Sequence, residues 1–134
     1  MPVSKIDSSQ AKALLAGDAV YLDVRTIPEF EAGHAPGAYN IPLMHAAAGG
    51  MQPNPKFADA VAAAFSRDRN LVVACKAGGR SARACAMLDQ LGFTNVHDFA
   101  GGWSGNGSDP GWPGSGGEVS TQDDPGHTWK DLDR

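Results

Sequence analysis

A short apolar run that stops at a cysteine, with two glycines and then a helix behind it, leaves this chain few folds to choose from. Asn70-Leu71-Val72-Val73-Ala74 is apolar, β-branched and free of proline, the pattern of a strand buried on both faces. Ser81-Ala82-Arg83-Ala84-Cys85-Ala86-Met87-Leu88-Asp89-Gln90-Leu91 is rich in helix formers, sets Ala84, Met87, Leu88 and Leu91 on one stripe, and meets Gly92 as its stop. Cys75-Lys76-Ala77-Gly78-Gly79-Arg80-Ser81 is therefore a strand-to-helix turn, with the helix starting near Arg80.

The two glycines permit positive φ, so successive N–H groups of that turn can face inward as an anion nest, and the helix N-terminus adds its own unpaired N–H groups. Such a field, with Lys76 and Arg80 beside it, lowers a thiol from about 8.5 to roughly 3.5–7.5. The expectation is a Cys75 that is thiolate at neutral pH, set against the bland alternative of a small buried hydrophobe ending a core strand.

The rest of the chain alternates strands and helices. Ser8 and Ser9 are placed to cap a helix over 10–16, which Gly17-Asp18 stops. Ala19 to Val24 reads as a central parallel strand that carries Asp23 and Arg25 at its end. Pro28 to Ala32 suits a short helix closed by Gly33; a turn over 34–38 leads to a brief strand, Tyr39 to Ile41. Residues 43–56 read as a surface loop, followed by a helix from about Lys56 to Arg67 with Phe57, Val61, Ala64 and Phe65 on one face. Thr94 to Phe99 is a last strand. The pattern predicts a three-layer α/β domain, a mostly parallel sheet with helices on both faces and its ligand at the carboxyl ends of the strands, where Cys75 lies. Residues 1–113 form that domain, and 114–134, polar and acidic from Glu118 onward, form a tail expected to be flexible or loosely docked. Glycine-rich 101–117 does not form a core alone, but Trp103 and Trp112 can pin it.

With 134 residues and a net charge of −4, the chain is sized for one domain and has no basic footprint for nucleic acid. No apolar run approaches a membrane span, and no N-terminal leader pattern precedes Ser8, so a cytoplasmic, reduced protein is expected. Cys75 and Cys85 fit neither a Cys-x-x-Cys redox pair nor a zinc set, and His45, His97 and His127 lack a second ligand at metal spacing. No metal or cofactor is implied.

Three patches then resemble single-domain rhodaneses, sulfurtransferases that carry sulfur as a cysteine persulfide. Asp23-Val24-Arg25, Glu29-Phe30, Gly33-His34-Ala35-Pro36-Gly37-Ala38 and Asn40-Ile41-Pro42 look like the family's first signature. Cys75 to Ser81 looks like its active loop, and Leu91 to Val96 with Gly101-Gly102-Trp103 like its C-terminal signature. The resemblance makes Cys75 the persulfide-bearing nucleophile and Lys76, Ala77, Gly78, Gly79, Arg80 and Ser81 the loop that binds the donor, with the two cations attracting a dianion such as thiosulfate. Cyanide, a small thiol or a thiol protein would accept the sulfur. It makes Asp23, Arg25, Glu29 and His34 structural support: Arg25 and Glu29 are spaced to pair, Asp23 to cap a loop, and His34 to hydrogen-bond a turn. A base at His34 is not needed by a thiol already ionised.

Two rival readings remain. Cysteine-based phosphatases and arsenate reductases also set a thiol over an amide nest closed by arginine, with five residues between the two. Here Lys76 to Gly79 make four, a smaller cup suited to one sulfur rather than a tetrahedral oxyanion. Rhodanese-like binding modules without catalysis typically lose the cysteine, which this chain keeps.

Overall fold

In the computed structural model, which describes residues 3–133, the chain runs β1 (Val3–Ile6), α1 (Ser8–Ala16), β2 (Val20–Asp23), α2 (Ile27–Ala32), β3 (Tyr39–Asn40), β4 (Met44–Ala47), β5 (Gly50–Pro53), α3 (Phe57–Ala64), β6 (Leu71–Ala74), α4 (Gly79–Gln90), β7 (Val96–Phe99), α5 (Gly111–Gly114) and α6 (Trp129–Leu132). Five strands make one parallel sheet in the order β1-β7-β6-β2-β3. The central strand, β6, is the one that leads to Cys75. The register pairs Asp23 with Ala74 and Val73 with Asp98, so β2, β6 and β7 end level with one another.

Strand alternation divides the core into two layers. Val20, Leu22, Val24, Leu71, Val73 and Cys75 face α3 and α4, whereas Tyr21, Val72 and Ala74 face the side carrying Ala11 of α1 and Trp112 of α5. Each valine or leucine among them that is removed from water contributes about 1.5–3 kcal/mol, which is why a parallel strand needs helices on both faces. The expected three-layer architecture is the observed one.

Several local expectations are corrected. The cap of α1 is Asp7, whose side chain accepts the Gln10 N–H at 2.8 Å while Gln10 Oε1 accepts the Asp7 N–H at 2.9 Å. Ser8 is engaged elsewhere: its N–H donates to Asp109 Oδ2 at 2.7 Å and its hydroxyl to the same carboxylate, tying α1 to the glycine-rich stretch. On α4 the buried stripe is Ser81, Ala84, Cys85 and Leu88, with Met87 exposed and Leu91 half-buried. Ser81, hydrogen-bonded to Asp98 on β7, sets that rotation at the helix start. Helix α3 ends at Ala64, which is exposed; Ala60 takes the inward place beside Phe57 and Val61. Residues 43–56 are not a plain loop, for β4 and β5 pair as an antiparallel hairpin around Ala48-Gly49, with Gly49 at φ +88°. An edge strand, β1, lies beyond β7 where no strand was foreseen.

Trp112 is buried against Tyr21 and donates its indole N–H to Glu118 O at 2.7 Å, so the tryptophan does pin its segment. The C-terminal stretch, for which the composition suggests a flexible or loosely docked tail, runs along the sheet edge. Ser120 and His34 exchange backbone hydrogen bonds, Asn40 N–H donates to His127 O at 2.8 Å, and Trp129 inserts into the core layer of α3 and α4. Among the described residues no helix is long and apolar enough to cross a membrane.

Candidate active site

Strand β6 delivers Cys75 to the carboxyl end of the sheet, and the segment after β7 holds it there. Trp103 N–H donates to Cys75 O and Ser104 N–H to Lys76 O, both at 2.9 Å. That approach needs Gly102, at φ +56°, because a Cβ there would collide with the Cys75 carbonyl. The loop then turns at Gly78, φ +109°, where a Cβ would stand 2.8 Å from Ala100 O. This left-handed residue caps α4 and aims its own N–H at the sulfur, donating to Cys75 Sγ at 3.1 Å. A glycine in the turn, and no side chain, is what brings the donor under the thiol.

The two loop cations have different surroundings. Arg80 is clamped by Glu29 in a fork, Nη1 to Oε1 at 2.7 Å and Nη2 to Oε2 at 3.0 Å, which joins the first turn of α4 to α2. Glu29 also accepts from the Thr26 N–H and hydroxyl at 3.0 and 2.9 Å, completing the capping box of α2. Burial opposes the charge on Glu29, but the Arg80 and Thr26 donors outweigh it and hold the carboxyl at about 2. The same hydrogen bonds push the Arg80 guanidinium up. Lys76 is exposed, and the ion pairs among the described residues are Asp23–Arg25, Lys56–Asp133 and Glu29–Arg80, so its charge stays open to a ligand.

Arg25 and Glu29, spaced to pair, do not. Arg25 turns back onto Asp23, with Nη2 to Oδ2 at 2.9 Å and Nε to Oδ1 at 3.0 Å, and donates to Gly33 O at 2.7 Å. It precedes α2 rather than riding on it, so helical spacing does not apply. The Trp103 ring covers this buried pair, 4.7 Å from the guanidinium carbon. Burial pushes the Asp23 carboxyl up even so, against the pull of Arg25. Asp23 Oδ1 also accepts the Arg25 N–H at 3.0 Å. His34 stacks on Phe30 and has Phe30 O at 2.8 Å from Nδ1 and Gln122 O at 2.9 Å from Nε2, holding the turn and the C-terminal stretch.

Ser81, read as part of the donor-binding loop, is wholly buried, its hydroxyl 3.1 Å from Gly78 O and 2.8 Å from Asp98 Oδ1. It stands beneath the loop as a post, while Lys76, Ala77 and Gly79 form the exposed rim. Asp98 was missed from the sequence because it is recognisable only by its partner Ser81 across the fold, whereas Thr26 was missed although Thr26-x-x-Glu29 is a local capping-box pattern that could have found it. Asn40, whose side chain donates to Asp23 O and Arg25 O, was visible only as part of the Asn40-Ile41-Pro42 patch. Among the described residues no three His, Cys, Asp or Glu side chains are grouped to hold a metal.

The chain as a whole has known relatives. The family model for the rhodanese-like domain matches residues 7–107. Thiosulfate sulfurtransferase 16, chloroplastic, of Arabidopsis thaliana is 45% identical over 101 residues, 75% of this chain and 84% of that protein. Protein HIGH ARSENIC CONTENT 1, mitochondrial, of the same plant is 42% identical over 102 residues, 76% of this chain but 60% of the relative's length. Among solved structures, the human single-domain sulfurtransferase TSTD1 superposes with a TM-score of 0.59 at 28% identity, covering 76% of this chain and 91% of that one. By matched extent, order of motifs and fold, this chain belongs to the rhodanese-like domain family.

Proposed function

We propose that the chain is a sulfurtransferase that takes the outer sulfur of thiosulfate onto Cys75 and passes it to cyanide or a thiol. In the first step the Cys75 thiolate attacks the outer sulfur; a Cys75 S–S bond forms, the bond to the sulfonate sulfur breaks, and sulfite leaves with the electron pair. In the second, the acceptor attacks the persulfide's outer sulfur and Cys75 departs as thiolate. The observation that carries this reading is the Gly78 N–H donating to Cys75 Sγ at 3.1 Å at the start of α4, a donor positioned for negative charge on sulfur. Relatives named as thiosulfate sulfurtransferases support the reaction class. Lys76, exposed and in no ion pair among the described residues, is the cation suited to steering a dianionic donor, whereas Arg80 braces the loop through Glu29.

Incubation with thiosulfate is expected to release sulfite and add the mass of one sulfur to Cys75, and Cys75→Ser to abolish both. Intact-mass analysis beside an assay on an aryl phosphate is the test. Phosphate release with no sulfur adduct would replace this reading with the phosphatase one; neither activity would point to a binding module.

A further inference from the structure

Beneath the Cys75 loop sits a buried carboxyl that no ion pair neutralises. Asp98, on β7, is 3% exposed, and no cation lies in ion-pair range of it among the described residues. Among those residues its carboxyl has one hydrogen-bond partner, the Ser81 hydroxyl, 2.8 Å from Oδ1. Strands β1 and β6 and helix α4 pack against β7. From β1, Lys5 stands opposite Asp98 in register; from β6 the register partner is the apolar Val73, two residues before Cys75; from α4 come Ser81 and the buried Cys85 thiol. Burial pushes the Asp98 carboxyl up, against the weaker pulls of Ser81 and Lys5.

The Ser81 hydroxyl faces two acceptors with one proton. Besides Asp98 Oδ1, Gly78 O lies 3.1 Å from its oxygen, and neither a carbonyl nor a carboxylate can donate. While Asp98 is ionised, the proton goes to the carboxylate, the stronger acceptor, and Gly78 O is left with the Ala82 N–H at 3.1 Å. Once Asp98 is protonated, its O–H donates to Ser81 Oγ and the Ser81 proton turns to Gly78 O. Both contacts are then hydrogen bonds. Gly78 is also the residue whose N–H donates to Cys75 Sγ at 3.1 Å, so the chain of contacts that starts at Asp98 ends on the sulfur.

We propose that Asp98 is a positioning residue for the sulfur site: through Ser81 it sets how firmly Gly78 is held under Cys75, and its neutral form is the one that favours negative charge on sulfur. A second donor on the Gly78 carbonyl fixes the turn, and a donor fixed beforehand needs no reorientation when charge develops. This role rests on the sulfurtransferase reading in taking Cys75 as the reacting sulfur.

Asp98→Asn keeps the shape and makes the side chain a permanently neutral donor to Ser81. The test is the rate at which iodoacetamide alkylates Cys75 from pH 4 to 8, read by peptide mass mapping and needing no sulfur donor, with sulfite release from thiosulfate measured beside it. The ratio of variant to wild type cancels the thiol's own titration. It should be near one in acid, where wild-type Asp98 is itself protonated, and rise to about threefold as that group ionises. In a Ser81→Ala background the same change should alter the rate by less than about 1.5-fold, because the link is cut. Urea midpoints show that each variant is folded, and if Ser81→Ala does not fold, the pH course of the ratio decides. A ratio that is flat with pH or below one at neutral pH overturns the positioning role, as does an undiminished effect without Ser81. The expected alkylation ratios with no sulfite released would keep that role and overturn the reaction alone.

Discussion

Cys75 and Cys85 are equally hidden, at 2% and 1% exposure, and lie in the same core layer, yet they occupy opposite chemical situations. Cys75 ends a strand, where the chain has not yet entered a helix and Gly78 N–H is free to point at sulfur. Cys85 sits mid-helix, where backbone N–H groups are engaged along the helix; burial first, then the negative charges of Asp98 and Cys75, push its thiol far up. Burial alone therefore does not decide what a cysteine does here. The direction of the nearest amides does.

The largest expected effect is that of Gly78→Ala. A Cβ 2.8 Å from Ala100 O at φ +109° forces the turn to move, at a cost of about 1–3 kcal/mol. The turnover number for thiosulfate should fall about 10²-fold, the usual effect of losing one oriented backbone donor. A Gly78→Ala enzyme with normal turnover would show that the amide is incidental. Next in size is alkylation, which breaks the contrast most directly. Iodoacetamide at mildly alkaline pH is expected to modify Cys75 at least about tenfold faster than Cys85, whose thiol burial pushes far up; peptide mass mapping over time reads it, and equal rates would erase the distinction.

Smaller effects sharpen the picture. Glu29→Gln keeps the capping box, which glutamine also satisfies, but weakens the fork to Arg80; thiosulfate turnover should drop about fivefold, as a charge-assisted pair becomes a neutral one. Glu29 ionises at about 2 when folded against an ordinary 4.5, so its contribution is full above the ordinary value and is lost as pH falls through the folded one. The variant should therefore show a shallower loss of stability in acid, measured by urea midpoints from pH 5 down to 2. Smallest is Cys85→Ala, expected to hold activity within about twofold and to lower stability by about 1 kcal/mol. Its signature is alkaline: above the ordinary thiol value of 9.0 the unfolded chain ionises while folded Cys85 does not, so wild type loses stability as pH rises there, and the variant should lose less.

The parts of the site carried by consecutive residues were legible. Leu71 to Gln90 declares strand, glycine turn and helix in one stretch, and Cys75 at that junction needs no distant information. Much of what escaped depends on partners far along the chain. Glu29 reaches Arg80 across the fold and Trp103 covers Arg25, which itself turns back two residues onto Asp23 because it precedes α2 and helical spacing does not reach it. The β4–β5 hairpin carries no apolar alternation because its strands are largely exposed, and β1 has only Val3 and Ile6 to mark it. The Asp7 cap was hidden by the adjacent serines, since Ser8 bonds Asp109 across the fold.

The hydrogen bonds from Trp103 and Ser104 to Cys75 and Lys76 mean that the sulfur site is finished by residues made well after it. During synthesis, a nascent chain that has released Cys75 but not yet Trp103 carries the thiol without its brace. Reactivity toward sulfur donors should consequently switch on late in translation, once the last strand of the sheet has left the ribosome and the loop can be locked from behind.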